Sequence, residues 1–432
     1  MSGLVIKNGR VLDPSSGIDG LYNVYVMSGR IASVKSISED TGEIMPGVDV
    51  LDAKGLLVIP GMVDAHTHLR EPGFEYKETI ETGTSAAAAG GFTSILCMAN
   101  TNPVNDNESV TRYILKKAEG CGANVFPVGA VTMGLKGEKL TEAAELKAAG
   151  CVALSDDGMP VASAAVMRRG LEYSLIAGLP VITHAEDPAL SSCAVMNEGR
   201  VSTLLGLKGI PNAAEDVIVG RDVALAELTG ARLHVAHVST AWAVDIIRNA
   251  KKRGVKVTAE ASPHHLTLTD GMVAGYDTNA KMNPPLRSKQ DADALMLGLK
   301  DGTIDCIATD HAPQSPVEKD VEFDKASNGI IGLETAFAVI YGLVESGALT
   351  LDEMVSAMTI KPSKVFSLDK GSLKVGASAD IALIDLSMKW VVEPDKLKSK
   401  SKNTPWLGKT LKGRVVKTFL GGHVVYELEG AK

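Results

Sequence analysis

The chain has 432 residues, of which 45% are hydrophobic and 22% charged, and its formal net charge is −8. A modest acidic balance without long charged runs argues against a nucleic-acid or anionic-membrane partner. Five scattered cysteines without a CxxC pair, and a first stretch unlike a signal peptide, favour a cytoplasmic protein with no membrane span.

The two ends of the chain have a β-rich pattern. Residues 1–55 alternate apolar and polar positions between Asn-Gly, Ser-Gly and Asp-Gly turns, and residues 371–432 repeat that character. We expect residues 1–55 plus 361–432 to form one small composite β-sandwich domain. The polar, basic stretch 396–413 within it is predicted to be a surface loop.

The middle of the chain alternates short apolar runs with segments whose apolar spacing is near that of a helix. The runs span residues 56–65, 92–99, 124–131, 151–155, 179–183, 231–238, 255–261 and 304–309. Eight such units predict an α/β fold, a (β/α)8 TIM-type barrel over residues 56–360. A doubly wound sheet is the alternative, but no glycine-rich phosphate motif follows the first run.

Polar residues follow several of these runs, where the active sites of such barrels collect. The stretch "PGMVDAHTHLREPG" ends the first run with His66 and His68, and alternation along a strand places both imidazoles on one face. The other candidates are Asp157, His184, His237 and Asp310.

Four imidazoles and two carboxylates without a cysteine suit Zn²⁺ or another borderline divalent ion in an open catalytic site. Six ligands exceed the need of one ion and suit two, with a carboxylate as the bridge. Each residue alone would be an ordinary polar side chain; their shared position at strand ends favours a metal centre. His234 is expected to face the other side of its strand from His237, and His423 to lie on the surface. His264 and His265 are expected to line the pocket without binding metal.

Several motifs together resemble the class I dihydroorotases of the amidohydrolase superfamily. Besides the first, they are "MANTNP" (98–103), "SDDG" (155–158), "THAED" (183–187), "VAHVST" (235–240), "SPHHL" (262–266), "KMNPPLR" (281–287) and "ATDHAP" (308–313). The resemblance implies two Zn²⁺ ions per subunit. It assigns His66, His68 and Asp310 to one ion, His184 and His237 to the other, and Asp157 to both, with Asp156 as the alternative bridge.

The resemblance also implies roles toward the substrate. Asp310 would be the catalytic proton shuttle, and Arg70 would bind the substrate carboxylate in bidentate fashion. Further contacts are expected from His68, Asn100, Asn283, Gln314, Asn328 and Gly329. Two positions depart from the family pattern: Gln314 stands where a histidine is usual, and "SNGIIGLE" (327–334) replaces the usual "PFGI" stretch.

The implied function is the reversible cyclisation of N-carbamoyl-L-aspartate to L-dihydroorotate in pyrimidine biosynthesis. The departures at Gln314 and Asn328 leave open a hydantoinase- or allantoinase-like cyclic amidohydrolase. Those relatives carry a carboxylated lysine bridge, whereas residues 148–158 contain no lysine. A third alternative is a non-catalytic partner of aspartate carbamoyltransferase. The resemblance further implies a homodimer and a possible association with that transferase.

Overall fold

The computed structural model describes residues 3–40 and 47–430. Its strands are β1 (Gly3–Asp13), β2 (Ile18–Met27), β3 (Arg30–Ser36), β4 (Val48–Asp52), β5 (Leu57–Pro60), β6 (Met62–Thr67), β7 (Phe92–Cys97), β8 (Asn124–Gly129), β9 (Ala153–Ser155), β10 (Val181–Thr183), β11 (Met196–Asn197), β12 (Gly209–Ile210), β13 (Leu233–Val235), β14 (Val257–Ala261), β15 (Cys306–Ile307), β16 (Ile381–Val391), β17 (Thr410–Leu420) and β18 (His423–Glu427).

The α-helices are α1 (Ile80–Ala89), α2 (Glu108–Ala118), α3 (Ala143–Ala149), α4 (Ala164–Ala177), α5 (Pro188–Ser191), α6 (Arg200–Leu205), α7 (Ala213–Thr229), α8 (Ala241–Lys252), α9 (Pro263–Thr267), α10 (Lys289–Asp301), α11 (Pro316–Lys319), α12 (Ala336–Glu345), α13 (Leu351–Met358) and α14 (Ile360–Val365). Short 3₁₀ turns lie at Met133–Leu135, Asp270–Val273, Thr278–Ala280 and Pro394–Lys396.

The predicted barrel is confirmed. Within the described residues, an eight-stranded sheet runs in the order β15, β14, β13, β10, β9, β8, β7, β6, and its ladders are parallel. A bridge between Thr67 and His311 joins its two ends, where the His68 amide donates to the His311 carbonyl at 2.9 Å. Small apolar side chains such as Ala65, Ala153 and Ala236 fill the interior.

The helices begin where polar caps satisfy their first amides. Thr79 caps α1 in a capping box with Thr82, and Ser288 caps α10 in the same way with Asp291. In α8, the amphipathic spacing buries Val244 and Ile247 against the barrel, and basic residues occupy the last turn. The helices therefore cover the outside of the sheet and leave its carboxyl end open to the loops.

Strands from both chain ends belong to one sheet, where a sandwich was expected. In the described part of the chain its order is β18, β17, β16, β5, β1, β2, β3, with β4 paired in parallel with β1. The strands hydrogen-bond into one continuous sheet and share their own apolar cluster, which includes Ile6, Val24 and Phe419.

The junctions between barrel and sheet differ from the sequence boundaries. β5 lies inside the range assigned to the barrel, yet it pairs with β1 and β16, and Gly61 separates it from β6. All but the first residue of α14 lies in the range assigned to the β domain, yet this helix contacts β6 and β15. We infer boundaries at Gly61 and just after α14.

The stretch 396–413 is only in part the predicted surface loop. β17 already begins at Thr410, and residues 397–404, here called the C-terminal strap, pack against the carboxyl end of the barrel. Ser399 is 1% exposed and Asn403 is 3% exposed. Their polar groups are buried because barrel loops satisfy them, which composition does not reveal.

Candidate metal centre

The six predicted ligands lie at the carboxyl end of the barrel. His66 lies in β6, and the others follow β6, β9, β10, β13 and β15 within three residues of the strand end. All six are between 0% and 6% exposed. They are His66, His68, Asp157, His184, His237 and Asp310.

The first group joins His66, His68 and Asp157. The Nε2 atom of His66 lies 3.3 Å from Asp157 Oδ1, and Nε2 of His68 lies 3.5 Å from Asp157 Oδ2. Asp310 adjoins this group, because its Oδ1 lies 3.2 Å from His68 Nε2 and 3.7 Å from His66 Nε2. The arrangement offers two imidazoles and two carboxylates to one position.

The second group joins His184 and His237 to the same aspartate. Asp157 Oδ1 lies 3.5 Å from His184 Nδ1 and 3.4 Å from His237 Nε2, and these two nitrogens are 3.0 Å apart. Asp157 therefore belongs to both groups, and the ligand atoms of each group lie within 4.8 Å of one another. A carboxylate in that position can bridge two ions.

The donor set fits divalent metal. His66 Nε2 is buried and makes no hydrogen bond to any described residue. Burial alone would raise the pKa of Asp157, but His66, His184 and His237 hold it well below its ordinary value. Burial acts in the same way on Asp310, and neighbouring histidines likewise lower the pKa of that carboxyl. Both acids are therefore ionised, as metal coordination requires.

Asp156 points away from this centre. Its carboxylate accepts from the amides of Val131, at 2.8 Å, and Thr132, at 3.0 Å, and from the Thr132 hydroxyl. It fixes the loop after β8 and contributes to neither metal group. Of the two aspartates, only Asp157 belongs to both histidine groups.

Three residues of the site have left-handed backbone. The φ angles are 62° at Arg70, 32° at His237 and 47° at Asp310. Such angles cost energy in residues that carry a Cβ, and they persist where surrounding contacts over-determine them. They turn the chain after β6, β13 and β15, where the side chains enter the pocket.

Arg70 is placed to receive an anion. Its Nε donates to the Pro313 carbonyl at 3.1 Å, which fixes the plane of the guanidinium group. The two terminal nitrogens donate to no hydrogen-bond partner among residues 3–40 and 47–430. A half-buried guanidinium with two unused donor groups suits a carboxylate ligand.

Asn100 and Asn283 contact the ligand histidines. Asn100 Oδ1 lies 2.9 Å from His68 Nδ1. Asn283 Nδ2 lies 3.3 Å from His184 Nε2 and donates to Glu186 Oε2 at 2.6 Å. Both amides are thus positioned to orient metal ligands, in addition to any contact with substrate.

Gln314 is engaged by the protein on three sides. Its backbone N–H donates to Asn403 Oδ1 at 3.0 Å. In its side chain, Oε1 accepts from Lys77 Nζ at 2.9 Å and Nε2 donates to the Asn328 carbonyl at 2.6 Å. The Asn328 side chain is exposed. Gly329 is required, because its φ is 149° and an added Cβ would lie 2.4 Å from the Ala312 carbonyl oxygen.

Glu260 was not among the predicted site residues, and His234 does not face the side of its strand that was expected. Glu260 Oε1 lies 2.9 Å from His66 Nδ1, and Glu260 Oε2 lies 3.1 Å from His234 Nε2. His234 therefore faces the barrel interior, because β13 ends at Val235 and the turn at His237 breaks the alternation. A carboxylate inside an apolar strand, as in "VKVTAEA", was the available signal.

His264, His265 and His423 lie apart from the six predicted ligands. His264 and His265 are buried, and both ring systems contact Ser262 Oγ, at 2.8 and 2.7 Å. Neither belongs to the metal groups found among the described residues. His423 is exposed on β18.

Proteins similar to this chain are named dihydroorotases. A family model described as "Dihydro-orotase-like" matches residues 55–242. A dihydroorotase from Pelobacter propionicus is 56% identical, covering 98% of this chain and 99% of that protein. One from Geobacter metallireducens is also 56% identical, with the same coverage.

Solved structures with this fold include other cyclic amidohydrolases. An L-hydantoinase from Arthrobacter aurescens has a TM-score of 0.87 and 26% identity, covering 98% of this chain and 96% of that one. A dihydropyrimidinase from Brevibacillus agri has a TM-score of 0.84 and 25% identity, covering 98% and 95%. From its full-length similarity and its shared fold, the chain belongs to the dihydroorotase family.

Proposed function

We propose that this chain interconverts N-carbamoyl-L-aspartate and L-dihydroorotate by forming or hydrolysing one cyclic amide bond. The observation that carries the proposal is Asp157, which is shared by two histidine groups, with Asp310 and Arg70 beside them. The full-length relatives named dihydroorotase support the choice of ring.

We propose Zn²⁺ for both metal positions, held by His66, His68 and Asp310 on one side and His184 and His237 on the other, with Asp157 as the bridge. Imidazole and carboxylate ligands in an open site favour this ion. When bound, such ions polarise a carbonyl and make water a nucleophile at neutral pH.

The protein groups carry the proton and orient the ring. In hydrolysis, water adds to the ring carbonyl carbon and the bond from that carbon to the ring nitrogen breaks. Asp310 accepts the proton of the attacking water and delivers it to the departing nitrogen, and cyclisation reverses these steps. Arg70 holds the substrate carboxylate, which fixes the carbonyl relative to Asp310.

A hydantoinase-like activity is the second candidate, because the solved structures of like fold include hydantoinases and because both ends of the Gln314 side-chain amide already bond to the protein. The bridging position argues against it, since Asp157 stands there and residues 148–158 contain no lysine. A non-catalytic role is disfavoured, because all six ligands converge.

A substrate panel separates these functions. The zinc-loaded protein is assayed with dihydroorotate, hydantoin, dihydrouracil and allantoin, and bound metal is measured in the same sample. We expect the highest kcat/KM for dihydroorotate. Preference for hydantoin or allantoin would overturn the proposal, and metal-loaded protein with no turnover would favour the non-catalytic role.

The assembly and location of the protein are also proposals. In the described chain, no helix is long and apolar enough to cross a bilayer. α4 and α7 pack together and expose Tyr173, Ile176 and Leu228, and a homodimer would cover such side chains. We propose a cytoplasmic homodimer, and sedimentation with and without aspartate carbamoyltransferase tests both the dimer and that association.

A further inference from the structure

Glu260 lies beneath the metal centre, inside the barrel. It belongs to β14 and is 1% exposed. Its Oε1 lies 2.9 Å from His66 Nδ1 and 3.4 Å from the backbone nitrogen of His237. Its Oε2 lies 3.1 Å from His234 Nε2. One buried carboxylate thus contacts a residue of each metal group.

These contacts select one tautomer of His66. An ionised carboxylate has only acceptors, so both facing ring nitrogens must carry hydrogen. When Nδ1 of His66 carries the hydrogen, the lone pair of the neutral ring is at Nε2. That atom lies toward Asp157 and makes no hydrogen bond within the described residues. The ring is thereby prepared to ligate.

His234 completes the arrangement from the other side. Its Nε2 faces Glu260, and its Nδ1 lies 2.8 Å from the hydroxyl of Thr258. The hydroxyl can donate or accept, so His234 could change tautomer if the group that faces its Nε2 became a donor. His66 has no such freedom, because only an Nε2 lone pair serves the metal.

His234, Glu260 and Cys306 also lie within 4.8 Å of one another, which is the spacing of a metal site. Both oxygens of Glu260, however, already face imidazole nitrogens, at 2.9 and 3.1 Å. Burial also raises the pKa of the Cys306 thiol well above its ordinary value, so the thiolate is disfavoured. The cluster therefore fits a hydrogen-bonded support better than a third ion.

We infer that Glu260 is a positioning residue that fixes the tautomer and ring orientation of His66 and so sets the affinity of the first metal position. The inference rests on the proposed metal centre. Loss of such a carboxylate partner typically lowers metal affinity about 10- to 100-fold.

The test measures Zn²⁺ affinity by competition with a chelating dye, on metal-free protein and without any assay of activity. Glu260→Met removes both acceptor oxygens. We expect the Zn²⁺ affinity of one of the two positions, the one that His66 would hold, to fall about 10- to 100-fold. Glu260→Gln should weaken it less. Its oxygen can face His66 while its amide donates to His234, which can change tautomer.

Glu215→Gln is the matched control, because Glu215 is equally buried and contacts Ser239 and Thr240 but no metal ligand. We expect it to lower the melting temperature of the metal-free protein while leaving Zn²⁺ affinity unchanged. An effect of Glu260 variants confined to melting temperature would show a merely structural role and overturn the inference.

Other outcomes are equally decisive. If Glu260→Met does not fold, Glu260→Gln carries the test, and an unchanged Zn²⁺ affinity in that variant overturns the inference. The wild type could instead bind three Zn²⁺ ions while the Glu260 variants bind two with unchanged affinities. Glu260 would then be a ligand of the third ion, and the inference would be overturned. Wild-type protein that binds no Zn²⁺ would instead contradict the proposed metal centre itself.

Discussion

Asp156 and Asp157 are adjacent in sequence and have opposite environments. Alternate residues of an extended chain point to opposite sides, so one carboxylate meets the amides of Val131 and Thr132 while the other meets three histidines. Burial raises the pKa of Asp156 to about 6, whereas the histidines lower that of Asp157. The family resemblance favoured Asp157 and kept Asp156 as the alternative, and in the structure only Asp157 of the two belongs to both histidine groups.

Replacing Asp310 by Asn tests the proton shuttle. Asn keeps the size of the side chain but cannot accept and return a proton. We expect kcat to fall about 100- to 10,000-fold, the range typical of a lost general acid–base. Kinetics with dihydroorotate, accompanied by metal analysis, measure this. Near-normal kcat at full metal content would refute the role.

Replacing Arg70 by Met tests recognition of the substrate carboxylate. A lost hydrogen bond to a charged group costs about 1.5–3 kcal/mol, which corresponds to a rise in KM of about 10- to 100-fold. Hydrolysis of an uncharged ring such as dihydrouracil should be much less affected. Arg70→Lys is the control, since it keeps the charge but loses the planar fork. Equal effects on both rings would contradict the assignment.

At the scale of elements, the C-terminal strap links the β-rich end of the chain to the active site. Asn403 Nδ2 donates to the carbonyls of Ala312 at 3.0 Å and Gly329 at 2.9 Å, and its Oδ1 accepts from Gln314. Ser401 Oγ donates to the Lys77 carbonyl at 2.7 Å. Loops that follow the first and the last barrel strands are therefore held by one segment.

Asn403→Asp should disturb the loop that carries Gly329. The carboxylate cannot donate, so the carbonyls of Ala312 and Gly329 lose their partner at a cost of about 1–3 kcal/mol. We expect a lower melting temperature and a higher KM for dihydroorotate. Ser401→Ala, in the same strap, should change KM little. Comparable KM changes in the two variants would exclude a specific role for Asn403.

Glu334 gives the strap a pH dependence. Burial raises its pKa from 4.5 to about 7, while the amides of Ser399 and Lys398 that donate to it act in the opposite direction. Between these values the folded chain holds the proton more tightly than the unfolded chain, so the unfolding free energy falls as pH rises. This loss of unfolding free energy is complete above about pH 7 and absent below about pH 4.5.

Glu334→Gln removes this titration and keeps one acceptor oxygen. The melting temperature of the variant, relative to that of the wild type, should therefore be higher at pH 8 than at pH 5. Thermal unfolding at both pH values measures the difference. If the difference in melting temperature between variant and wild type is the same at pH 5 and pH 8, the raised pKa of Glu334 is contradicted.

For the whole molecule, periodicity predicted the barrel because each of its strands is an apolar run separated by a helical pattern. The run "LLVIPGMVDA" did not reveal that β5 and β6 belong to different sheets, because both are apolar and only Gly61 separates them. The strap was missed because its polar residues are satisfied by partners distant in sequence.

The convergence of the six proposed ligands was predictable because parallel strands end at one face of a barrel, so residues distant in sequence meet there. Glu260 was not, because it lies within a strand and its role depends on a side-chain partner 194 residues away in sequence. Gln314 illustrates the same limit, since the sequence does not show that Lys77 and Asn328 already occupy its amide.

Titration of metal-free protein with Zn²⁺ tests the central claim most directly, with bound ions and dihydroorotate turnover followed together. If Asp157 bridges two positions, turnover should rise until two ions are bound per chain, and Asp157→Ala should bind fewer and remain inactive. Full turnover at one ion per chain, or an Asp157→Ala variant that keeps two ions and wild-type activity, would contradict the account.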